Sequence, residues 1–300
     1  MERKDRIDAF GAISLTGFSA FLAFNQVIIK FVNGGLQPVF FAGLRSAIAV
    51  LCLWLWMTWR GRPPRLRRDM AGPGIAIGLV FSAEFLGLFI ALDLTSVTRT
   101  SIILYSMPVW LTLAAHFVLP GERITPRKAV GLILAFTGVA WAILDRDTGA
   151  GQASLTGDLC ALGAAICWAT LALIARGTRL KEVRPEMQLF WQVLVSAPVL
   201  IFAALFFGPL LRDLVPLHIA GLVFQGGVVV AAGFVFWLWL LSIYPAAGVA
   251  SFSFLTPIFG VAFGWALLGE EIGLSLVVAA LLVGVGIILI NRPARRRHPS

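Results

Sequence analysis

The chain is short of charge: Asp, Glu, Lys and Arg make up 13% of its 300 residues, against about 25% in soluble domains. Between the charges lie many apolar runs of 18 residues or more, each long enough as a helix to cross a hydrocarbon core of about 30 Å. A soluble globular domain is excluded. Histidine is scarcer still. His116, His218 and His298 are scattered, so no metal or catalytic set is expected. The three cysteines, Cys52, Cys160 and Cys167, lie inside apolar runs without a loop partner, which argues against a disulfide framework or a metal site. No Gly-x4-Gly-Lys-Ser/Thr loop and no His-Glu-x2-His pair occurs, so neither ATP hydrolysis nor zinc chemistry is expected. The expectation is a protein that is not an enzyme and has no cofactor. The first apolar run follows the charged stretch Met1–Arg6 and lacks a small-residue cleavage site, so it is expected to stay as an uncleaved anchor.

What is abundant is apolar sequence, and it divides into ten candidate spans: Asp8–Val32, Pro38–Trp59, Met70–Leu92, Val97–Phe117, Pro126–Leu144, Leu155–Gly177, Pro185–Phe207, Leu217–Ile243, Ala246–Leu268 and Gly273–Ile290. Lipid offers no partner for orphan backbone groups, so such runs fold as helices. With the N-terminus in the cytoplasm, 19 of the 24 Lys and Arg fall on the cytoplasmic side and four, Lys30, Arg99, Arg146 and Arg212, on the other. That bias predicts a multi-pass protein of the bacterial inner membrane with both termini cytoplasmic. It also accounts for the net charge of +9 by contact with the lipid bilayer rather than with nucleic acid. The basic tail Arg292–Arg297 fits the same role as an anchor to anionic lipid.

One block is written twice. Thr100–Val109 leads through Pro108 to Gly121-Glu122, and Val249–Ile258 leads through Pro257 to Gly269-Glu270, about 149 residues later. From each Glu to the glycine of the next run, Gly138 or Gly286, is 16 positions. The repeat places a boundary between residues 1–149 and 150–300. Five spans per half start the second copy from the opposite side of the membrane, giving two inverted five-helix repeats. That plan is common in secondary transporters, which keep their site at the midplane.

Ionisable groups at membrane depth are costly, about 2.5–3.5 kcal/mol on insertion scales. Glu84 lies near the middle of span three. Two roles fit it: a cavity carboxylate for a substrate amine or a proton, or a structural acid paired with Arg45 or a backbone donor. Arg45 in span two and Gln192 in span seven occupy matching places and read as structural polar groups that bond a broken-helix carbonyl. Lys30, Asp93 and Arg99 fall near span ends, where they are expected to snorkel. Pro108 and Pro257 are expected to kink spans four and nine and free carbonyls toward a cavity. Phe18, Tyr105 and Trp168 are candidates for its aromatic wall, with core packing as the alternative for each. Asn25, Gln188, Gln192, Gln225, Ser82, Ser101, Ser251 and Ser253 are candidates for hydrogen bonds to a zwitterion. Trp54, Trp56 and Trp59 read as an interfacial belt. The small residues Gly131, Ala135 and Gly138 permit close helix contact, within the bundle or between the copies of a homodimer.

Ten helices in two repeats, each carrying small residues, Pro and Gly-Glu in that order, resemble the EamA-type members of the drug/metabolite transporter superfamily. Within it the chain resembles the YddG-type amino-acid exporters, through Ser82-Ala83-Glu84, Tyr105 three residues before Pro108, and the stretch from Leu162 to Trp168. The resemblance implies a ten-helix bundle around a central cavity that exports aromatic and other neutral amino acids, and related toxic compounds, by alternating access. It implies cavity positions Phe18, Ala83, Glu84, Tyr105, Met107 and Trp168. Phe18 and Met107 stand where tryptophan strengthens an aromatic cage, and Ala83 where tyrosine does, which implies a broader range of amino acids. A carrier of the same fold for a nucleoside or a cationic drug is the alternative. A membrane enzyme, a channel and a regulatory scaffold are the further readings, the first opposed by the lack of converging His, Asp or Cys.

Overall fold

The structure is a computed structural model that describes residues 7–119, 123–145, 154–244 and 252–291, the side chains of Leu238, Leu241 and Ser253 excepted. The described residues form helices joined by short turns, with no strand beyond one isolated bridge between Leu36 and Leu211. Proline sets several of the starts. Helices α1 (Ala9–Asn33), α2 (Pro38–Trp59) and α3 (Ala71–Leu94) form the first three spans, and α2 begins on its proline. The ring fixes a helical φ, and its missing N–H falls where no intrahelical acceptor exists. The fourth span is two helices, α4 (Val97–Leu104) and α5 (Met107–Val118). Spans five to seven are α6 (Pro126–Leu144), α7 (Leu155–Gly177) and α8 (Pro185–Ala204). Asp8, Ser96, Thr125 and Ser154 cap α1, α4, α6 and α7 by accepting a backbone N–H, which satisfies donors that a helix start leaves free.

The second half departs further from regular helix. Its third span runs through α9 (Pro216–Val223), a nine-residue π-helical segment (Phe224–Ala232) and α10 (Gly233–Ile243). In the ninth span the described residues begin with a 3-10 turn, Phe252–Phe254, and continue as α11 (Leu255–Leu268); α12 (Leu274–Asn291) closes the described chain. Nine of these spans are long and apolar enough to cross a membrane, and α11 is a shorter apolar helix.

The expected kinks take a different form. The fourth span is interrupted at Tyr105-Ser106, and Pro108 lies in the first turn of the restarted helix. Pro257 likewise lies in the first turn of α11. Pro108 does not stand in the middle of a continuous helix, because the break just upstream removes the clash a mid-helix proline has with the preceding turn, and Pro257 follows the change from 3-10 to α-helix at Leu255.

The small-residue stripe is used inside the chain. A Cβ at Gly131 would lie 2.8 Å from the Gly286 carbonyl oxygen, and one at Gly138 2.8 Å from that of Ala279. Helices α6 and α12 are therefore in backbone contact, as small-residue faces allow in lipid. Across the bundle, α3 packs on α7 and α8, α2 on α8, and α1 on α11. Glu122 and Gly121, the first copy's acidic stop, lie outside the described residues, as does Ser251.

Candidate functional site

The bundle has two unlike ends, named here by residues they contain. At the Arg99 end, the first turn of α4 is almost inaccessible. Thr95 through Arg99 are all 3% exposed or less. Arg99 does not snorkel. Its Nε lies 3.1 Å and its Nη2 2.6 Å from the Asp158 carboxylate on α7, and both side chains are fully buried. Arg99 also donates to the Asp145 carbonyl at 2.9 Å and to that of Ala142, while Thr95 donates to Asp158 at 3.1 Å. One guanidinium thus joins the start of α4, the end of α6 and the start of α7. Lys30 and Asp93 are engaged as well. Lys30 donates to the carbonyls of Leu92 and Thr95 at 3.1 and 2.7 Å, completing acceptors that the end of α3 leaves free. Asp93 receives Arg212 at 2.6 and 2.9 Å, a contact that holds the Arg212 pKa above its usual value. The snorkelling expected for Arg99 and Lys30 is corrected, because neighbouring helix ends supply the partners that water was expected to supply, whereas the Asp93–Arg212 pair is part-exposed, as a residue near a span end was expected to be.

The second Gly-Glu works at the same end. Gly269 closes α11 at φ 65°, ψ 26°, a left-handed conformation that glycine adopts without penalty. The turn sends Glu270 back against α4, where its carboxylate accepts from Val97 N at 2.6 Å and Thr98 N at 2.9 Å. These are free donors at the positive end of a helix, where an anion is favoured. Gly264 allows the approach, since a Cβ there would lie 2.4 Å from Glu270 Oε2 and 2.7 Å from Thr98 Oγ1. Gly260, one turn earlier, gives room to Ser101 in the same way, at 2.1 Å from its Oγ.

At the Arg60 end the bundle is grooved. A cavity of about 780 Å³ lies between the last turns of α2, the π segment, α10 and the start of α8, lined by Leu53, Trp56, Arg60, Glu186, Ala231 and Phe236 among others. Arg60 stands 5.4 Å from the Trp56 ring centroid. Trp54 and Trp59 are exposed, as an interfacial belt requires. The cavity reaches inward to Gly227, next to Gly226, which packs on Ile48 and the Arg45 carbonyl.

Between the two ends lies a buried polar and aromatic centre. Tyr105, at the break of the fourth span, meets Trp168 of α7 edge-to-face, with ring centroids 5.6 Å apart at 80°. The Tyr105 hydroxyl interacts with Thr256 of α11, in a geometry short of a closed hydrogen bond, since Thr256 Oγ1 has no hydrogen-bond partner. Glu84 is 5% exposed and its Oε2 has no hydrogen-bond partner. It lies within electrostatic reach of Arg45, Tyr105 and Cys167. Arg45 is 2% exposed, with its guanidinium carbon 3.8 Å from the Phe85 ring centroid. Its Nε and Nη2 have no partner. These two nitrogens thus bond no broken-helix carbonyl, and the aromatic face of Phe85 lies against the guanidinium.

The remaining candidates divide. Gln225 of the π segment is fully buried and donates to the Asn25 side chain, while its Oε1 is free of partners. Ser101 donates to Gln26 at 2.9 Å. Ser82 donates to the Gly78 carbonyl, and Gln188 to the carbonyls of Leu180 and Val183, so these two serve local structure. Phe18 joins Phe21, Phe236 and Trp237 in an aromatic cluster rather than the Tyr105–Trp168 pair. Ala83 is exposed, about 100° around α3 from Glu84. Met107 and Gln192 are half-buried.

The profile of a family described as the EamA-like transporter family matches this chain twice, over residues 9–144 and 155–292. A Bacillus subtilis (strain 168) protein described as uncharacterized transporter YoaV is 24% identical over 281 residues, covering 93% of this chain and 94% of its own. An Escherichia coli (strain K12) protein described as a probable amino-acid metabolite efflux pump is 26% identical over 292 residues, covering 94% of this chain and 93% of its own. A solved crystal structure superposes with a TM-score of 0.65 at 20% identity, over 93% of this chain and 97% of that one, and so shares its fold.

Proposed function

Because the chain belongs to the EamA-like transporter family, we propose that it is a secondary carrier that exports neutral and aromatic amino acids across the bacterial inner membrane by alternating access. The observation that carries this reading is the buried centre around Glu84, Tyr105 and Trp168, placed at the break of the fourth span and beside the start of α11. Polar atoms without partners are costly in an apolar interior, and those of Arg45, Glu84 and Thr256 support a site near the middle of the spans, as inverted-repeat carriers use. The E. coli relative, described as a probable amino-acid metabolite efflux pump, supports the substrate class, and the YddG-type resemblance of Tyr105 and Trp168 supports aromatic amino acids within it.

In this reading the Arg60 end faces the cytoplasm, as its arginines favour. Substrate enters along the groove toward Gly227, reaches the centre, and leaves when the Arg99 end opens. The halves 1–149 and 150–300 are the moving bodies, and the break before Pro108 and the 3-10 turn before Pro257 are the bends. The test is uptake of labelled threonine, methionine, leucine and phenylalanine by liposomes containing the pure protein. Saturable uptake of leucine and phenylalanine above empty liposomes is the expected result. Uptake of a nucleoside or a cationic drug with none of the amino acids moves the chain to another substrate class.

A further inference from the structure

The buried centre holds a base and an acid that do not close on each other. Arg45 Nε and Nη2 and Glu84 Oε2 are all buried and all without hydrogen-bond partners, although the two residues lie within electrostatic reach. The same molecule shows what a structural pair looks like. Arg99 grips Asp158 through two nitrogens, and its remaining donors reach backbone carbonyls. Leaving a buried charge unpaired costs several kcal/mol, so the open arrangement of Arg45 and Glu84 is not what stability alone selects.

We propose that Arg45 and Glu84 are the two poles of a receptor for a zwitterion. The guanidinium takes the α-carboxylate, the carboxylate takes the α-ammonium, and the substrate side chain lies toward Tyr105 and Trp168. This assignment rests on the amino-acid carrier reading above and adds residue roles to it.

One feature of the geometry and two of the ligand's chemistry fit. Stacking on Phe85 occupies a face of the guanidinium, and its in-plane N–H groups are the ones that meet a carboxylate in a fork. The carboxylate and ammonium of an α-amino acid sit on one carbon, so one molecule offers both charges to two poles that do not bond each other. It also leaves neither pole unpaired. A simple amine satisfies Glu84 and strands Arg45, and a simple carboxylate does the reverse. A site with such buried poles rejects the half-charged analogue through the group left without a partner. Arg45 comes from α2 and Glu84 from α3, while Tyr105 and Trp168 come from α4's end and α7. The substrate would thereby touch both repeats.

The experiment is calorimetric titration of the full-length protein in detergent with leucine, 3-methylbutylamine and 4-methylpentanoate, which carry both charges, the ammonium alone and the carboxylate alone. The wild type is expected to bind leucine at least tenfold more tightly than either analogue. Arg45→Gln is expected to lose at least tenfold for leucine, keep the amine, and bring the two to parity. Glu84→Gln is expected to bring leucine and 4-methylpentanoate to parity instead. Arg45→Lys, which keeps the charge without the fork, is expected to weaken leucine while keeping it ahead of the amine. It carries the test if Arg45→Gln is not monodisperse. Leucine binding that keeps the wild-type order and affinity in these variants overturns the two-pole assignment and leaves the carrier reading standing. A wild type that binds neither leucine nor, titrated in the same way, phenylalanine overturns both.

Discussion

Arg99→Met is expected to lower the apparent Tm of the purified protein by about 10 °C. The Arg99–Asp158 pair is fully buried, and removing one partner of a buried pair costs about 3–5 kcal/mol because the other charge is left uncompensated. At about 2–4 °C per kcal/mol for chains of comparable size, the shift is large. The residue binds three elements, so the damage spreads. Asp158 loses its countercharge, and the carbonyls of Asp145 and Ala142 at the end of α6 lose their donor. The double variant Arg99→Met, Asp158→Leu is expected to recover part of the loss, since an apolar pair of similar volume removes the stranded carboxylate. Recovery stays partial because the two carbonyls remain without a donor. Thermal unfolding followed by loss of the monodisperse peak reads both shifts. A single variant as stable as the wild type contradicts the role given to Arg99.

Glu270→Ala acts on the same end by a different route. The carboxylate accepts two N–H groups at the start of α4, and hydrogen bonds to a charged acceptor are worth about 1.5–3 kcal/mol each. A net loss of about 2 kcal/mol makes local opening about thirtyfold more populated. Amide hydrogen exchange over Val97–Leu104 is therefore expected to speed up about thirtyfold, while α8 on the far side of α3 keeps its protection. Unchanged exchange in Val97–Leu104 shows that Ser96 and the burial of the first turn hold α4 without the acid. In the carrier reading this is the end that must open to release substrate, so the variant also shifts the protein toward its outward-open form.

Much of this fold is legible in the sequence, and the reasons are local. Pro38, Pro126 and Pro185 mark helix starts to the residue, because proline is favoured where the helix needs no donor. Charge-poor length gave the spans, and the stripe Gly131, Ala135, Gly138 announced a close contact whose partner, α12, needed the structure. The break in the fourth span was legible from Pro108 as a disturbance, but its place at Tyr105-Ser106 was not. The π segment of Phe224–Ala232 carries no signal, since its glycines, valines and alanines are equally at home in an ordinary membrane helix. Arg99 departs from the snorkelling expectation for a specific reason. Nearness to a span end implies access to water only if the end is not covered, and here α6, α7 and α11 cover it. A usable signal was present: Arg99 and Asp158 are opposite charges at similar depth in spans that start from the same side. In the candidate site, Glu84 and Tyr105 were legible as costly groups in an apolar run. The place of Phe18 was not, because an aromatic residue packs as readily against Phe236 and Trp237 as against a cavity.

The central claim is that the molecule carries amino acids through a site exposed to one side at a time. Counterflow tests this most directly. Liposomes containing the pure protein are loaded with unlabelled leucine and diluted into a trace of labelled leucine, with no ion gradient imposed. The account predicts a transient accumulation of label above its equilibrium level that depends on the internal leucine, because a carrier returning with cargo resets faster than diffusion can empty the vesicle. Label that only equilibrates, at the same rate with and without leucine inside, would contradict it and leave a pore or an unrelated substrate.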